Sequence, residues 1–459
     1  MIAGFAALTP YLFVADSWMT LLSGREVVRN GIPDTETLTV LASGREWVDQ
    51  QWLAQAVFYL VELAAGLPGV AMLHVLLIGG TLGSCMAAAR LLGASARATF
   101  LVAIPILLTA PWSWQLRAQS LALPLFVWTL WLAADHVRHP SRRIAIAIPL
   151  LLVWANVHGS VLLGALIVSL AVVVVAARRA RDSREIGIAA ALGLGAWACV
   201  LVTPYGLDIV GYYHLLIVDP PFGDAIVEWQ RTTPNALTAF FFGVAFLSAV
   251  VVAWKRRRLT WFEIAVLAIL LAGALDAVRG IVWFSLAVAV LVPNALDGVF
   301  RKPDRVQYPR MNVALAGAFV AATLVTLVVV ISKGNDWFEQ RWPEGVLAAV
   351  RSAGPDARVY PSDRYADWIL WRMPELRGRV AYDVRFELLT RETFLDVARF
   401  DSESGADWKR VADGYKVVIV DEDSVPSHTS KLLAEPGART AFHDEEAEVT
   451  VIHRPREAA

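Results

Sequence analysis

Residues Asp16–Leu53 read DSWMTLLSGREVVRNGIPDTETLTVLASGREWVDQQWL. The stretch leaves one apolar segment and enters the next, and a carboxylate stands where the first hydrophobic segment ends. It is long, rich in acids and carries three tryptophans, Trp18, Trp47 and Trp52. Loops held by a rigid scaffold are where binding and chemistry concentrate. This loop is therefore expected to roof a membrane-embedded site, and the fold class turns on whether its flanking segments span a bilayer.

Composition says that they do. Of 459 residues 57% are hydrophobic and only 18% charged, and the mean hydropathy is +0.52. Those values describe a polytopic α-helical membrane protein. A net charge of -1 gives no global attraction to nucleic acid. The two cysteines, Cys85 and Cys199, both fall in apolar stretches, which leaves no disulfide framework or CxxC metal site. Met1 to Val14 is apolar with no basic flank or cleavage site, so a retained first helix is expected there.

Trp18, Leu21, Leu22 and Val28 lie on one face of a short interfacial helix ending near Asn30-Gly31-Ile32-Pro33. Trp52 to Ala65 forms a second, and neither is required to span. Spans are expected over residues 69–90, 98–114, 118–136, 143–157, 160–177, 186–203, 235–254, 260–278, 281–298 and 311–332. With the first helix these total about eleven.

Basic residues set the orientation. Arg90 with Arg97, Arg138 with Arg142 and Arg143, Arg178 to Arg184, Lys255 to Arg258, and Arg301 to Arg305 all fall at alternate junctions. The positive-inside rule makes that side, and the N-terminus, cytoplasmic. The first outer loop (16–52), the 204–234 loop and the tail then lie outside, in a cytoplasmic (inner) membrane. Residues 1–332 form the expected transmembrane domain and 333–459 an extracytoplasmic α/β domain. In the tail, short runs at Val359-Tyr360, Arg379 to Tyr382, Val417 to Val420 and Val449 to Val451 read as strands. Helices are expected at 363–373, 389–399 and 405–413. The tail has no GxGxxG, P-loop or GxSxG motif.

Polar residues at the outer ends of apolar segments are costly and are candidates for function. Asp16 ranks first, as a base for an acceptor hydroxyl; its plain alternative is an N-cap for the interfacial helix. Asp34 and Asp49 are candidates for substrate binding, with Asp34 equally a turn residue after Pro33. Arg279 and Arg117 are placed to grip a phosphate. The alternatives are an ion pair with Asp276 for Arg279 and a snorkelling role for Arg117. Asn156 and His158 sit at a break between spans, where a lone histidine is more often structural than a metal ligand. Tyr205, Glu228 with Trp229, and Trp52 complete the candidate substrate-binding set; an outer aromatic belt also places a tryptophan at 229.

In order, the chain presents Asp16, Gly24-Arg25, Gly31-Ile32-Pro33-Asp34, Trp47-Val48-Asp49 and Trp52-Leu53. Arg117-Ala118-Gln119, Asn156-Val157-His158-Gly159, Thr203-Pro204-Tyr205-Gly206, Glu228-Trp229 and Arg279 follow. This succession resembles the bacterial GT-C fold membrane glycosyltransferases, the broad group that includes dolichyl-phosphate-mannose protein mannosyltransferase-like proteins and uncharacterised relatives with an extracytoplasmic C-terminal domain. The resemblance covers most of residues 1–332. It implies the GT-C fold, a polyprenyl-phosphate sugar donor and a first-loop acid, whose position Asp16 matches. Ser17, Trp18, Met19 and Thr20 stand where many relatives have a second acid or histidine, and Gln50 and Gln51 where relatives often have His and Glu. No metal ligands are assigned, and a divalent metal is left open.

The function expected is transfer of a sugar from a polyprenyl-phosphate donor to a cell-envelope acceptor at the outer membrane face. The alternative is a non-catalytic assembly or lipid-binding protein on the same scaffold. Transport would call for inverted repeats and charges at mid-bilayer, and the charges here gather at one face instead.

Overall fold

Segment length and turn chemistry account for most of the helices found in the computed structural model, which describes residues 12–178, 183–218, 220–223, 225–297, 309–423 and 427–455. Most of the expected first helix and the Arg301–Arg305 run lie outside these residues, as does the middle of the Arg178–Arg184 run. Among the described residues five helices are long and apolar enough to cross a bilayer: Trp52–Leu91, Ala118–Arg138, Val161–Arg178, Ala239–Arg258 and Val278–Leu296. The helices Ala147–Ala155, Ser183–Val200, Trp261–Asp276 and Pro309–Ser332 fall at other expected spans but are not among those five.

Two differences have local causes. The expected 98–114 span is a shorter helix, Ala96–Ile106, followed by a single 3-10 turn at Pro111–Trp114. Pro105 lies in its last turn and Pro111 opens the next, so backbone donors are missing where a continuous helix needs them. The interfacial helix from Trp52 runs into the following span, broken only at Gly66 (φ 65°) just before Pro68. Inside the expected 204–234 loop, Asp208–Val218 is also helical.

The contacts divide the chain differently from a boundary at 332. One unit is built mainly of Met72–Ile209 and Ile226–Val329; the other joins Ala7–Ala71, Val210–Ala225 and Val330–Ala459. In the first, the helix Ile281–Leu296 is buried along almost its whole length. Trp283 packs on Phe126 and Trp154, with ring centroids 5.2 and 6.1 Å apart. At the basic end of this unit Arg138 pairs with the fully buried Glu263 at 2.6 Å. Glu263 also closes a capping box with Thr260.

The second unit is held by a sheet. Four strands, β1 (Val359–Tyr360), β2 (Val417–Asp421), β3 (Arg439–Asp444) and β4 (Val449–His453), lie in the order β1-β2-β4-β3. β1 and β2 are parallel and the rest antiparallel. The expected strand at 379–382 contributes only bridges, yet it has a joining role. Val380 bridges Val359 on one side and Thr39 of the first loop on the other. The Val40 and Leu41 N–H groups donate to the carbonyls of Val380 and Ala381 at 2.8 and 2.9 Å. The first loop is thereby hydrogen-bonded onto the edge of the tail sheet. Helices Asp363–Arg372 and Arg391–Asp401 match expectation; the expected 405–413 helix is only a 3-10 turn at Arg410–Ala412.

The helix Ala15–Asn30 packs on Asp363–Arg372 and on the start of Trp52–Leu91. Arg25 donates to the carbonyls of Leu370 and Trp371, both at 2.8 Å, and its guanidinium covers the Trp371 ring. This satisfies the C-terminal carbonyls of the second helix and opposes its dipole. Gly24 makes the other contact possible, because a Cβ there would lie 2.1 Å from the Gln55 carbonyl oxygen. Gly24→Ala is accordingly expected to lower stability by about 1–3 kcal/mol, read as a fall in the thermal unfolding midpoint of the purified protein. An unchanged midpoint would mean that the two helices do not approach this closely.

Candidate functional site

Asp16 lies in the first turn of Ala15–Asn30, where a carboxylate is favoured by the helix dipole. It is not the cap. Val14 holds that position in extended conformation, and its N–H donates to Ser17 Oγ at 3.0 Å. The N-cap alternative for Asp16 is thus corrected, because the helix starts one residue before it. Phe13, Trp18, Phe338 and Trp342 pack ring on ring at 5.4–5.5 Å and fix this helix end. Asp16 is half-buried and acts electrostatically on Asp363 and Asp367 of the tail.

Beyond Asp16, the loop and tail share an ionic centre around Arg385, only 4% exposed. Its Nη1 lies 2.6 Å from Glu36 Oε2, and its Nε contacts both Asp383 oxygens at 3.0 and 3.1 Å. A further contact joins Nη2 to Asp383 Oδ2. The guanidinium also covers the Trp47 ring at 4.2 Å. Glu36 Oε1 accepts from the Leu38 and Thr39 N–H groups at 2.6 and 2.7 Å, which shapes the loop just before it joins the sheet.

One guanidinium facing two carboxylates leaves no charge to compensate further acids nearby. Burial, then the neighbouring Asp383, holds the Asp367 pKa well above the carboxylate range. Burial raises Asp49 to about 7 against the pull of Arg385 and hydrogen bonds from Gln55 and Gln51. Glu387 rises to about 7, chiefly through burial. Such clustering of shifted groups is characteristic of functional sites and of buried ion networks alike.

The other expected residues separate by unit. Asp34 is exposed, and its carbonyl accepts the Trp47 N–H at 2.9 Å, as a turn residue would. Trp52 is half-buried at a helix start, and its N–H donates to the Asp49 carbonyl at 3.2 Å. In the membrane unit, Arg117 Nη1 lies 2.6 Å from Glu228 Oε1, and Arg279 stands 3.9 Å above the Trp229 ring. The segment that follows Trp229 is tied to the end of the helix Trp261–Asp276 and the turn after it by Val278 N–H to Gln230 O at 3.1 Å and Thr232 Oγ1 to Ala274 O at 2.6 Å. Arg117, Glu228, Trp229 and Arg279 therefore converge, with His158 within electrostatic reach of Arg279.

His158 is buried and shares a 2.8 Å hydrogen bond with Ser160. The Asn156 amide donates to the Leu152 and Val202 carbonyls at 3.0 and 2.9 Å. Tyr205 lies half-buried in the turn before Asp208–Val218.

Glu36, Asp367, Asp383 and Arg385 were not among the expected residues. A signal was present: Asp383 and Arg385 alternate within Ala381-Tyr382-Asp383-Val384-Arg385-Phe386, where apolar neighbours imply burial and hence pairing. Among the described residues no group of three or more His, Cys, Asp or Glu side chains is arranged to hold a metal ion.

No family model matches the chain, and no curated protein matches its sequence. Solved structures do match. An oligosaccharyltransferase from Archaeoglobus fulgidus, in its apo form, superposes with a TM-score of 0.53 at 14% identity, over 94% of this chain and 70% of that one. ArnT from Cupriavidus metallidurans gives 0.51 at 15% identity, over 98% of this chain and 95% of that one. The same protein bound to undecaprenyl phosphate gives 0.51 at 14%, over 98% and 96%. The chain has the GT-C fold, that of a multi-pass membrane protein.

Asp49 yields a test of the ionic centre. Its folded pKa of about 7 exceeds the ordinary 3.8. The protonated form therefore favours folding below about pH 4, and that contribution is lost as pH rises through 7. Asp49→Asn should raise stability relative to the parent on going from pH 5 to 8.5, by on the order of 2 kcal/mol. Melting curves at both pH values check this; a pH-independent difference would show that Asp49 is ionised in the fold.

Proposed function

We propose that the protein transfers a sugar from a polyprenyl-phosphate donor to a hydroxyl-bearing acceptor of the cell envelope, at the outer face of the cytoplasmic membrane. The carrying observation is the chain-long likeness to a protein solved with undecaprenyl phosphate bound. In this reading the N-terminus and the basic helix ends are cytoplasmic, and the loop and tail are outside.

The reaction breaks the bond between the sugar's anomeric carbon and the donor phosphate oxygen and forms one to the acceptor oxygen. The acceptor proton passes to Asp16, a role worth about 10²–10⁴ in rate. The bond electrons leave with the phosphate, whose growing charge a fixed guanidinium stabilises more in the transition state than in the ground state. Arg279 has that role. Its place above Trp229 supports it, because ring stacking restrains the plane of a guanidinium. Arg117 acts with it, and Glu228 restrains Arg117 through their ion pair. Substrate binding is assigned to Asp34, Asp49 and Trp52 in the loop-and-tail unit and to Asn156, His158, Tyr205, Glu228 and Trp229 in the membrane unit.

Loss of a surface glycan from the native host, restored by the parent gene but not by Asp16→Asn, tests the assignment. With purified protein and a lipid-linked donor, Asp16→Asn should cut turnover by about 10²-fold or more with an unchanged melting point. Arg279→Ala should reduce it too, with Lys restoring part. Full activity in Asp16→Asn removes Asp16 as the base; a parent protein that binds donor without turnover supports the lipid-binding alternative.

A further inference from the structure

His74 lies in the apolar run Val70-Ala71-Met72-Leu73-His74-Val75-Leu76-Leu77-Ile78 of the helix Trp52–Leu91 and is only 2% exposed. An ionisable side chain in such a segment is costly and is retained for a use. Both ring nitrogens are engaged. Nε2 lies 2.6 Å from the Trp114 carbonyl oxygen, and Nδ1 lies 3.1 Å from Ser120 Oγ. The chemistry of these partners fixes the tautomer: a carbonyl oxygen only accepts, so Nε2 carries the hydrogen and donates, and Nδ1 accepts from the Ser120 hydroxyl.

Both partners belong to the segment that carries Arg117, one three residues before it and the other three residues after. Arg117 has an extended backbone (φ -147°, ψ 157°) between Leu116, 0% exposed, and Ala118, 2% exposed. Successive side chains of extended backbone point to opposite sides. Burial of Leu116 and Ala118 therefore turns Arg117 the other way, where its guanidinium meets Glu228 at 2.6 Å and Gln115 at 3.4 Å.

The segment has little regular structure to hold this arrangement. Two single 3-10 turns, Pro111–Trp114 and Ala118–Leu121, flank the extended residues, and such turns have poorer hydrogen-bond geometry than an α-helix. Fixing comes from outside. One imidazole, mounted on a long helix, bonds to both ends of the stretch at once. A leucine at position 74 would be equally apolar but would supply neither bond and would leave the Trp114 carbonyl and the Ser120 hydroxyl without this partner.

We propose that His74 is a positioning residue: it fixes residues 114–120 on the helix Trp52–Leu91 so that the Arg117 guanidinium is presented to the phosphate of the lipid-linked donor. This rests on the phosphate role given to Arg117 above, and it adds a residue that never touches the substrate.

Two measurements on the full-length protein in detergent test it: hydrogen–deuterium exchange across residues 107–138, and titration with undecaprenyl phosphate followed by native mass spectrometry. His74→Leu should speed exchange at 114–120 while the helix Ala122–Arg138 keeps the parent's protection. It should also weaken undecaprenyl phosphate binding about tenfold. The His74→Leu/Arg117→Ala double variant should bind no more weakly than Arg117→Ala alone, since the histidine acts through the arginine. His74→Gln, whose amide can donate to the Trp114 carbonyl, should restore part of both effects. Should His74→Leu fail to fold, Ser120→Ala breaks one of the two bonds with the histidine in place and carries the same comparison. Unchanged exchange at 114–120, exchange raised equally through Ala122–Arg138, or additive losses in the double variant would each overturn the proposal. A parent that binds no undecaprenyl phosphate overturns the donor reading, and this role with it; a parent that binds, with His74→Leu binding equally well, overturns this inference alone.

Discussion

A single buried guanidinium organises the loop-and-tail unit. Arg385 is held by Glu36 from the first loop and Asp383 from the tail, and Trp47 covers its face. Taking these charges from water is expensive, and removing one member of such a group leaves an uncompensated charge at a cost of about 3–5 kcal/mol. The arrangement is therefore weak evidence for stability and better evidence for position. Each partner makes sense only if the loop and tail fold onto each other in one register. The strand-like pairing of Val40 and Leu41 with Val380 and Ala381 fixes that register on the backbone side.

The same centre explains why acids accumulate around it without becoming a ligand cage. Arg385 is already matched by two carboxylates, so Asp367 is more stable protonated, and Asp49 and Glu387 sit near the balance point at neutral pH. Asp16 occupies the opening turn of a helix whose far half is clamped by Arg25 on the Leu370 and Trp371 carbonyls and by Glu26 on Arg377 at 2.8 Å. Its backbone is held by these contacts while its side chain keeps partial access to solvent, the combination that the proposed role as base asks for.

Hydrophobic length made the membrane helices legible, because a bilayer imposes a segment size that composition cannot conceal. The prolines that shortened the 98–114 span were visible, but whether a proline kinks or ends a helix depends on its neighbours. Asp16, Arg117 and Arg279 stand out in the sequence because each is charged at the end of an apolar run. Glu36 and Arg385 do not, since they are 349 positions apart and each looks like an ordinary charged residue until the partner is known. Pairing of distant charges is a tertiary property and leaves only a faint local trace, such as Asp383-Val384-Arg385 inside an apolar context.

The division of the chain follows from the same physics. A soluble appendage joined by one crossing would need its own complete core, yet this sheet has a two-residue first strand and leaves one side of Val380 for the first loop. Phe222, from the second expected outer loop, also packs on Phe394 of the tail. Three separate pieces of sequence thus supply one core, and the tail is incomplete without the loop that carries Asp16. Any substitution that loosens Glu36, Trp47 or Arg385 should therefore disturb the body that supports the helix carrying Asp16, the base of the proposed reaction, rather than any direct contact with a substrate.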